Sequence, residues 1–110
     1  MMGVSPSSFA REVEGFGLSA IGINCGKSLS DNINALKELS NATVLPIWFK
    51  PNAGLPLLDE SGEPTYDINP EQMAENVTAW VEAGARIIGG CCGTSPEHLR
   101  SIANVVKALR

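Results

Sequence analysis

Three side chains stand apart from ordinary surface and core chemistry in this sequence: Cys25, Cys91 and Cys92. Their number is odd and two are adjacent, so they do not form the paired framework of a small disulfide-stapled secreted domain. In a reducing compartment such thiols point to metal or redox chemistry. A bond between the neighbours Cys91 and Cys92 would close a ring far from preferred disulfide geometry, and no C-x-x-C spacing marks a redox module. The plain alternative is three small buried cysteines beneath a Gly-rich turn. His98, two residues past Pro96 in the first turn of a helix, reads as a solvated side chain rather than a fourth ligand. The carboxylates of LLDESGE read as a solvated loop, and Trp48 and Trp80 as core packing.

The elements that must hold the cysteines are legible from periodicity. Ser5 as N-cap and Pro6 at the first helical position open a short helix carrying Phe9, Val13 and Phe16, which ends near Gly15 or Gly17. LSAIGINC is a buried-strand candidate, followed by a helix with Leu29, Ile33, Leu36 and Leu39 along one face. Pro46 cannot donate to a sheet ladder, so the next strand starts at about Ile47. The Pro-, Gly- and acid-rich segment KPNAGLPLLDESGEPTYDINP reads as one extended surface loop. Asn69 and Pro70 cap a third helix with Met73, Val77, Trp80 and Val81 as its stripe, ending at Gly84. ARIIGG is a short strand, CCGTS a tight turn, and Pro96 opens a last helix with Leu99, Ile102, Ala103 and Val106 facing inward. Short apolar strands alternating with helices predict an α/β chain of βα units on a parallel sheet. Three strands and four helices make an unusual complete fold, whereas a TIM-type β/α barrel uses eight units over ~250 residues.

In parallel α/β architectures the C-terminal strand ends form the active face. Cys25 ends LSAIGINC, and Cys91 and Cys92 follow ARIIGG, so all three thiols are expected on one face. Neighbouring residues of a strand point to opposite sides, and the pair shares one metal only if the backbone turns, a freedom that Gly89, Gly90 and Gly93 supply. The helices that follow turn their N-terminal dipoles toward the thiols and favour thiolate. Three thiolates suit Zn²⁺, and three protein ligands with one open position mark a catalytic rather than a structural site.

Composition narrows the rest. The 110 residues are 44% hydrophobic and 18% charged, with a formal net charge of −4, a soluble globular pattern with room for one thin core. Lys and Arg are scattered singly, which offers no stripe for nucleic acid. No apolar run approaches the ~20 residues of a membrane span, and the chain reads as cytoplasmic.

GINCG (Gly22 to Gly26), KPNAGLP (Lys50 to Pro56) and GGCCGTSPEH (Gly89 to His98) together resemble the homocysteine-binding domain of the homocysteine S-methyltransferase family. KPNAGLP leans toward the cobalamin-dependent methionine synthase branch rather than the betaine or S-methylmethionine branches. The resemblance implies an eight-stranded β/α barrel whose zinc is held by the residues matching Cys25, Cys91 and Cys92, with homocysteine sulfur as fourth ligand. It further implies methylation to methionine, the methyl group coming from methylcobalamin or methyltetrahydrofolate, with cobalamin bound by the parent enzyme outside this segment. Asn52 would fill the open position or hydrogen-bond the substrate, and Asn24 would orient Cys25. Residues 1–110 would form a single partial domain, about three of the eight units from the C-terminal part of the barrel. The homocysteine contacts of the other part would be missing. The segment alone is therefore expected to be inactive, and to associate with itself or with the missing barrel half. The competing expectation is a non-catalytic zinc-binding fragment that self-associates.

Overall fold

The computed structural model describes residues 4–26 and 28–109. Its helices are α1 (Pro6–Val13), α2 (Leu29–Ala42), α3 (Pro70–Glu75), α4 (Val77–Ala83) and α5 (Pro96–Ala108), and its strands β1 (Ile21–Cys25), β2 (Ile47–Pro51), β3 (Pro56–Leu58), β4 (Pro64–Tyr66) and β5 (Ala85–Ile88). Strands β1, β2 and β5 form a parallel sheet in that order, with Ile21 opposite Ile47 and Cys25 opposite Pro51. A register shift between β2 and β5 sets Ile47 against Ala85 but Trp48 against Ile87. The alternating α and β order and the parallel strands agree with the sequence expectation.

Local chemistry sets most boundaries. The Ser5 side chain accepts from Ser8 N–H at 3.1 Å ahead of Pro6, and Gly17 closes the short 3₁₀ turn Glu14–Phe16 in left-handed backbone, φ 72°. Such side-chain caps satisfy donors that a helix leaves orphaned at its start. Strand β2 begins at Ile47, as the missing N–H of Pro46 requires. The third helix is broken in two. The Asn76 amide donates to the Gln72 carbonyl at 2.8 Å, taking the acceptor its own backbone N–H would use, and that N–H goes to Met73 O at 3.1 Å instead.

The core lies between the sheet and one layer of helices. Ile21, Ile47, Phe49 and Ala85 point from the strands onto Leu36 and Leu39 of α2, Met73 of α3, Val77 and Trp80 of α4, and Ile102 of α5. Phe49 and Trp80 meet at a 5.1 Å centroid distance with planes tilted 60°, a favourable aromatic geometry.

Several sequence expectations are corrected here. The extended loop after β2 contains an antiparallel hairpin, β3 with β4. Asp59 Oδ1 organises its turn by accepting from Ser61 N–H at 2.9 Å, Ser61 Oγ at 2.8 Å and Glu63 N–H at 2.9 Å, which holds that carboxyl below its ordinary pKa. Trp80 is core, but Trp48 is 44% exposed on the face away from the helices, where the Lys50 ammonium sits 4.5 Å from its ring centroid. In a central strand only alternate residues reach the helix layer, and Trp48 takes the other parity. Leu99 is exposed rather than inward; Phe9 and Phe16 are exposed as well, and Ala10 fills the α1 contact. His98, expected in solvent, is buried.

Candidate metal centre

Cys25 ends β1 with φ 65°, a left-handed conformation unusual for a side chain with a Cβ. Its carbonyl is held there by two donors, Asn32 Nδ2 at 2.6 Å and Asn52 N–H at 3.3 Å. Asn32 is a buried polar residue in the apolar face of α2. Its signal was present in the sequence as an Asn at helical spacing among Leu29, Ile33, Leu36 and Leu39, a polar group that needs a partner when buried.

The second cysteine loop hangs from the end of β2. Cys91 N–H donates to Pro51 O at 2.9 Å, Cys92 N–H to Asn52 Oδ1 at 2.9 Å, and Ala53 N–H to Cys92 O at 2.9 Å. The other half of the Asn52 amide donates to Gly26 O at 3.2 Å. One side chain thus joins the Cys25 loop to the Cys91–Cys92 loop through both of its polar atoms. Gly93, at φ 79°, lets the chain turn after the pair and brings its backbone against the Tyr66 ring, where a Cβ would collide.

The three Sγ atoms lie within 4.8 Å of one another, with Cys25 and Cys91 half-buried and Cys92 exposed. Cys25 Sγ and Cys91 Sγ are 2.9 Å apart, and Asn24 Nδ2 stands 3.5 Å from Cys25 Sγ. The hydrogen bond with Cys91 and partial desolvation push the Cys25 thiol up from the ordinary 9.0 to about 11. The same hydrogen bond, received by Cys91, lowers the pKa of that thiol. The two thiols therefore titrate as a pair, with Cys91 the readier of the two to lose its proton. α2 and α5 begin shortly after the two cysteine loops and bring their N-terminal dipoles to the same end of the sheet.

This donor set fits a thiophilic metal. Three sulfurs at ~2.3 Å from a tetrahedral Zn²⁺ stand roughly 3.8 Å apart, a spacing within the observed spread of 4.8 Å. A cation at their centre also relieves the close approach of Cys25 and Cys91. All three sequence-predicted ligands are brought together, with Asn24 beside Cys25 and Asn52 between the two loops. His98 lies apart, its ring engaged by Ser95 and Ile68.

Parallel strands that present a thiol cluster at their C-terminal ends make this an α/β unit with a candidate metal site, and sequence comparison gives its family. The chain belongs to the homocysteine S-methyltransferase family, whose sequence pattern matches residues 1–106. It is 38% identical over 95 residues to the methionine synthase of Mycobacterium leprae, a match covering 86% of this chain and 8% of that protein. The Mycobacterium tuberculosis methionine synthase is 36% identical over 99 residues, covering 89% and 8%. Among solved structures, the apo form of the homocysteine methyltransferase MmuM from Escherichia coli superimposes with a TM-score of 0.69 at 31% identity, covering 90% of this chain and 32% of MmuM. The metallated form gives 0.68 at 31% identity, covering 89% and 28%. The chain therefore spans under a tenth of these methionine synthases and about a third of MmuM.

Proposed function

We propose that this chain supplies the metal-binding end of a zinc-dependent homocysteine methyltransferase of the methionine synthase type, as about three of the eight βα units of a TIM-type barrel. The observation that carries this reading is the convergence of Cys25, Cys91 and Cys92 within 4.8 Å at the C-terminal ends of two parallel strands. When bound there, Zn²⁺ supplies a Lewis-acid position that keeps a substrate thiol deprotonated at neutral pH while the thiolate-rich donor set leaves it nucleophilic. Cys25, Cys91 and Cys92 hold the metal. Asn52 fixes the separation of the two cysteine loops, and the second lone pair of its oxygen is left to face substrate. Asn24 steadies Cys25 and lies exposed at the mouth of the cluster.

The overall reaction transfers a methyl group to the sulfur of homocysteine, which gives up its proton and becomes methionine, while the donor leaves demethylated. Methylcobalamin, recharged from methyltetrahydrofolate and bound elsewhere in the parent enzyme, is the proposed donor, supported by the two methionine synthases this chain resembles. S-methylmethionine or betaine is the alternative. Three free thiols suit the reducing cytoplasm. A second reading, a zinc-holding piece that associates without turning over substrate, is favoured by the uncovered sheet face that bears Trp48 and Ile87.

Metal analysis tests the site. The purified chain is expected to hold about one Zn²⁺, and Cys25→Ala, Cys91→Ala and Cys92→Ala each to lose it. Stoichiometric zinc in any two of these variants removes the assignment.

A further inference from the structure

His98 is tied into the cysteine cluster without touching a sulfur. Its Nε2 lies 2.7 Å from the Ile68 carbonyl, which can only accept, so Nε2 carries the proton. Its Nδ1 receives Ser95 N–H at 3.2 Å and lies 2.7 Å from Ser95 Oγ, so Nδ1 is the acceptor. The ring is a neutral imidazole with both nitrogens committed, and at 7% exposure it is shielded from water.

Its partners lead back to the site. Ile68 N–H donates to Ala53 O at 3.2 Å, and Ala53 N–H donates to Cys92 O at 2.9 Å. Ser95, the other partner, lies three residues beyond Cys92. The hydrogen bonds therefore close a ring: Cys92 to Ala53, Ala53 to Ile68, Ile68 to His98, His98 to Ser95, and along the chain to Cys92. Ala53 and Ile68 bracket the β3–β4 hairpin, so His98 clips its base to the start of α5. It is the one side chain the ring cannot close without, since Ser95 also reaches Nδ1 through its backbone N–H and the other links are backbone.

We propose that His98 is a positioning residue for the metal centre, fixing the Cys92 backbone through Ile68 and Ala53. The inference rests on the reading of the three cysteines as metal ligands. Capping α5 alone would need only an acceptor at this position, and Glu or Gln serves in that role. The donor to Ile68 is the added function, and substitution separates the two. His98→Glu keeps the cap but has no proton for Ile68 O. His98→Gln offers an amide oxygen and nitrogen about as far apart as the two ring nitrogens, and so keeps both. His98→Leu keeps neither.

The test is Zn²⁺ affinity by chelator competition on the full chain, with Co²⁺ absorption as a second readout of thiolate geometry. Outer partners of metal ligands are typically worth about 10–100-fold in affinity. His98→Glu and His98→Leu are expected to weaken binding about tenfold and to shift the thiolate-to-Co²⁺ band, with His98→Gln restoring both to within about twofold. A folded His98→Glu with unchanged affinity and band overturns the inference. If the unsubstituted chain takes up no Zn²⁺, the site reading itself fails and carries this one with it. A measurement on the unsubstituted chain covers variants that do not fold. If the ring positions the site, metal must in turn stabilise the ring, so the Ala53 and Ile68 amides should exchange more slowly with Zn²⁺ present. Unchanged exchange at both amides, with metal bound, also overturns it.

Discussion

Cys25 is protonated at neutral pH in the metal-free chain, because the hydrogen bond to Cys91 and partial burial carry its thiol up to about 11. Metal requires the thiolate, so uptake expels at least that proton, and acid favours the metal-free form. Apparent Zn²⁺ affinity should fall at least about tenfold per pH unit below neutrality, since each displaced proton contributes one power of ten. Competition titrations at several pH values check this, and a flat profile would remove Cys25 from the ligand set. Asn52 offers a second residue-scale measurement. Asn52→Ala removes the bonds to Cys92 N–H and Gly26 O together, and metal affinity is expected to drop about 10–100-fold. Asn52→Asp retains the acceptor for Cys92 and sets a charge against the Gly26 carbonyl, so it should recover only part of the loss.

The elements differ in what holds them. Helix α3 begins with a reciprocal cap, Asn69 Oδ1 accepting from Gln72 N–H at 2.8 Å and Asn69 N–H donating to Gln72 Oε1 at 2.9 Å. Asn69→Ala should therefore cost about 1 kcal/mol. The turn between the cysteine pair and α5 depends on Gly93, whose left-handed backbone lies against Tyr66 of the hairpin. Gly93→Ala should cost about 1–3 kcal/mol in backbone strain, and more once the ring is displaced. Thermal melts should show it melting several degrees lower, with Gly15→Ala as the control, because nothing lies within 4 Å of a Cβ at that position. Equal melting points for the two would mean that the hairpin does not brace the cysteine turn.

Seen whole, the molecule is a slab of 48 × 38 × 20 Å with a radius of gyration of 14.7 Å, against about 13 Å for a compact domain of this length. One sheet face is covered by helices. The other presents Trp48 and Ile87, each more than 40% exposed, and among the described residues β1 and β5 are its unpaired edges. Open edges and apolar faces recruit further chains. From the sequence alone, Ile21, Ile23, Ile47, Phe49 and Ile87 could each have faced either side of the sheet. Ile21, Ile47 and Phe49 fill the helix-side core, and Trp48 takes the place they leave. Light scattering over a concentration series should show association, weakened in Trp48→Ser with Ile87→Lys. A monodisperse monomer at high micromolar concentration would show the slab to be self-sufficient. Because the chain spans about a third of MmuM, methionine formation by the isolated chain should be far below the ~1–10³ s⁻¹ of ordinary enzymes.

The sequence alone determined the βα alternation, the strand start after Pro46, the helix caps at Ser5 and Asn69, and the candidate ligands, because each depends on local periodicity or on the chemistry of a few neighbouring residues. Its motif blocks also sufficed to indicate the family. Tertiary structure decided the rest. Which parity of β2 faces the helices depends on the layer above it, so Trp48 and Phe49 were indistinguishable as apolar strand residues. The hairpin in the 50–70 segment is set by Asp59 folding back on Ser61 and Glu63 and by Tyr66 docking on Gly93. His98 was read as solvated because its partner Ile68 is 30 residues away, and a hydrogen bond across that separation exists only after α5 and the post-hairpin segment have packed. Asn32 and Asn52 are short polar residues that serve turns and caps anywhere in a chain. They became structural parts of the cysteine cluster only when the fold brought three strand ends together.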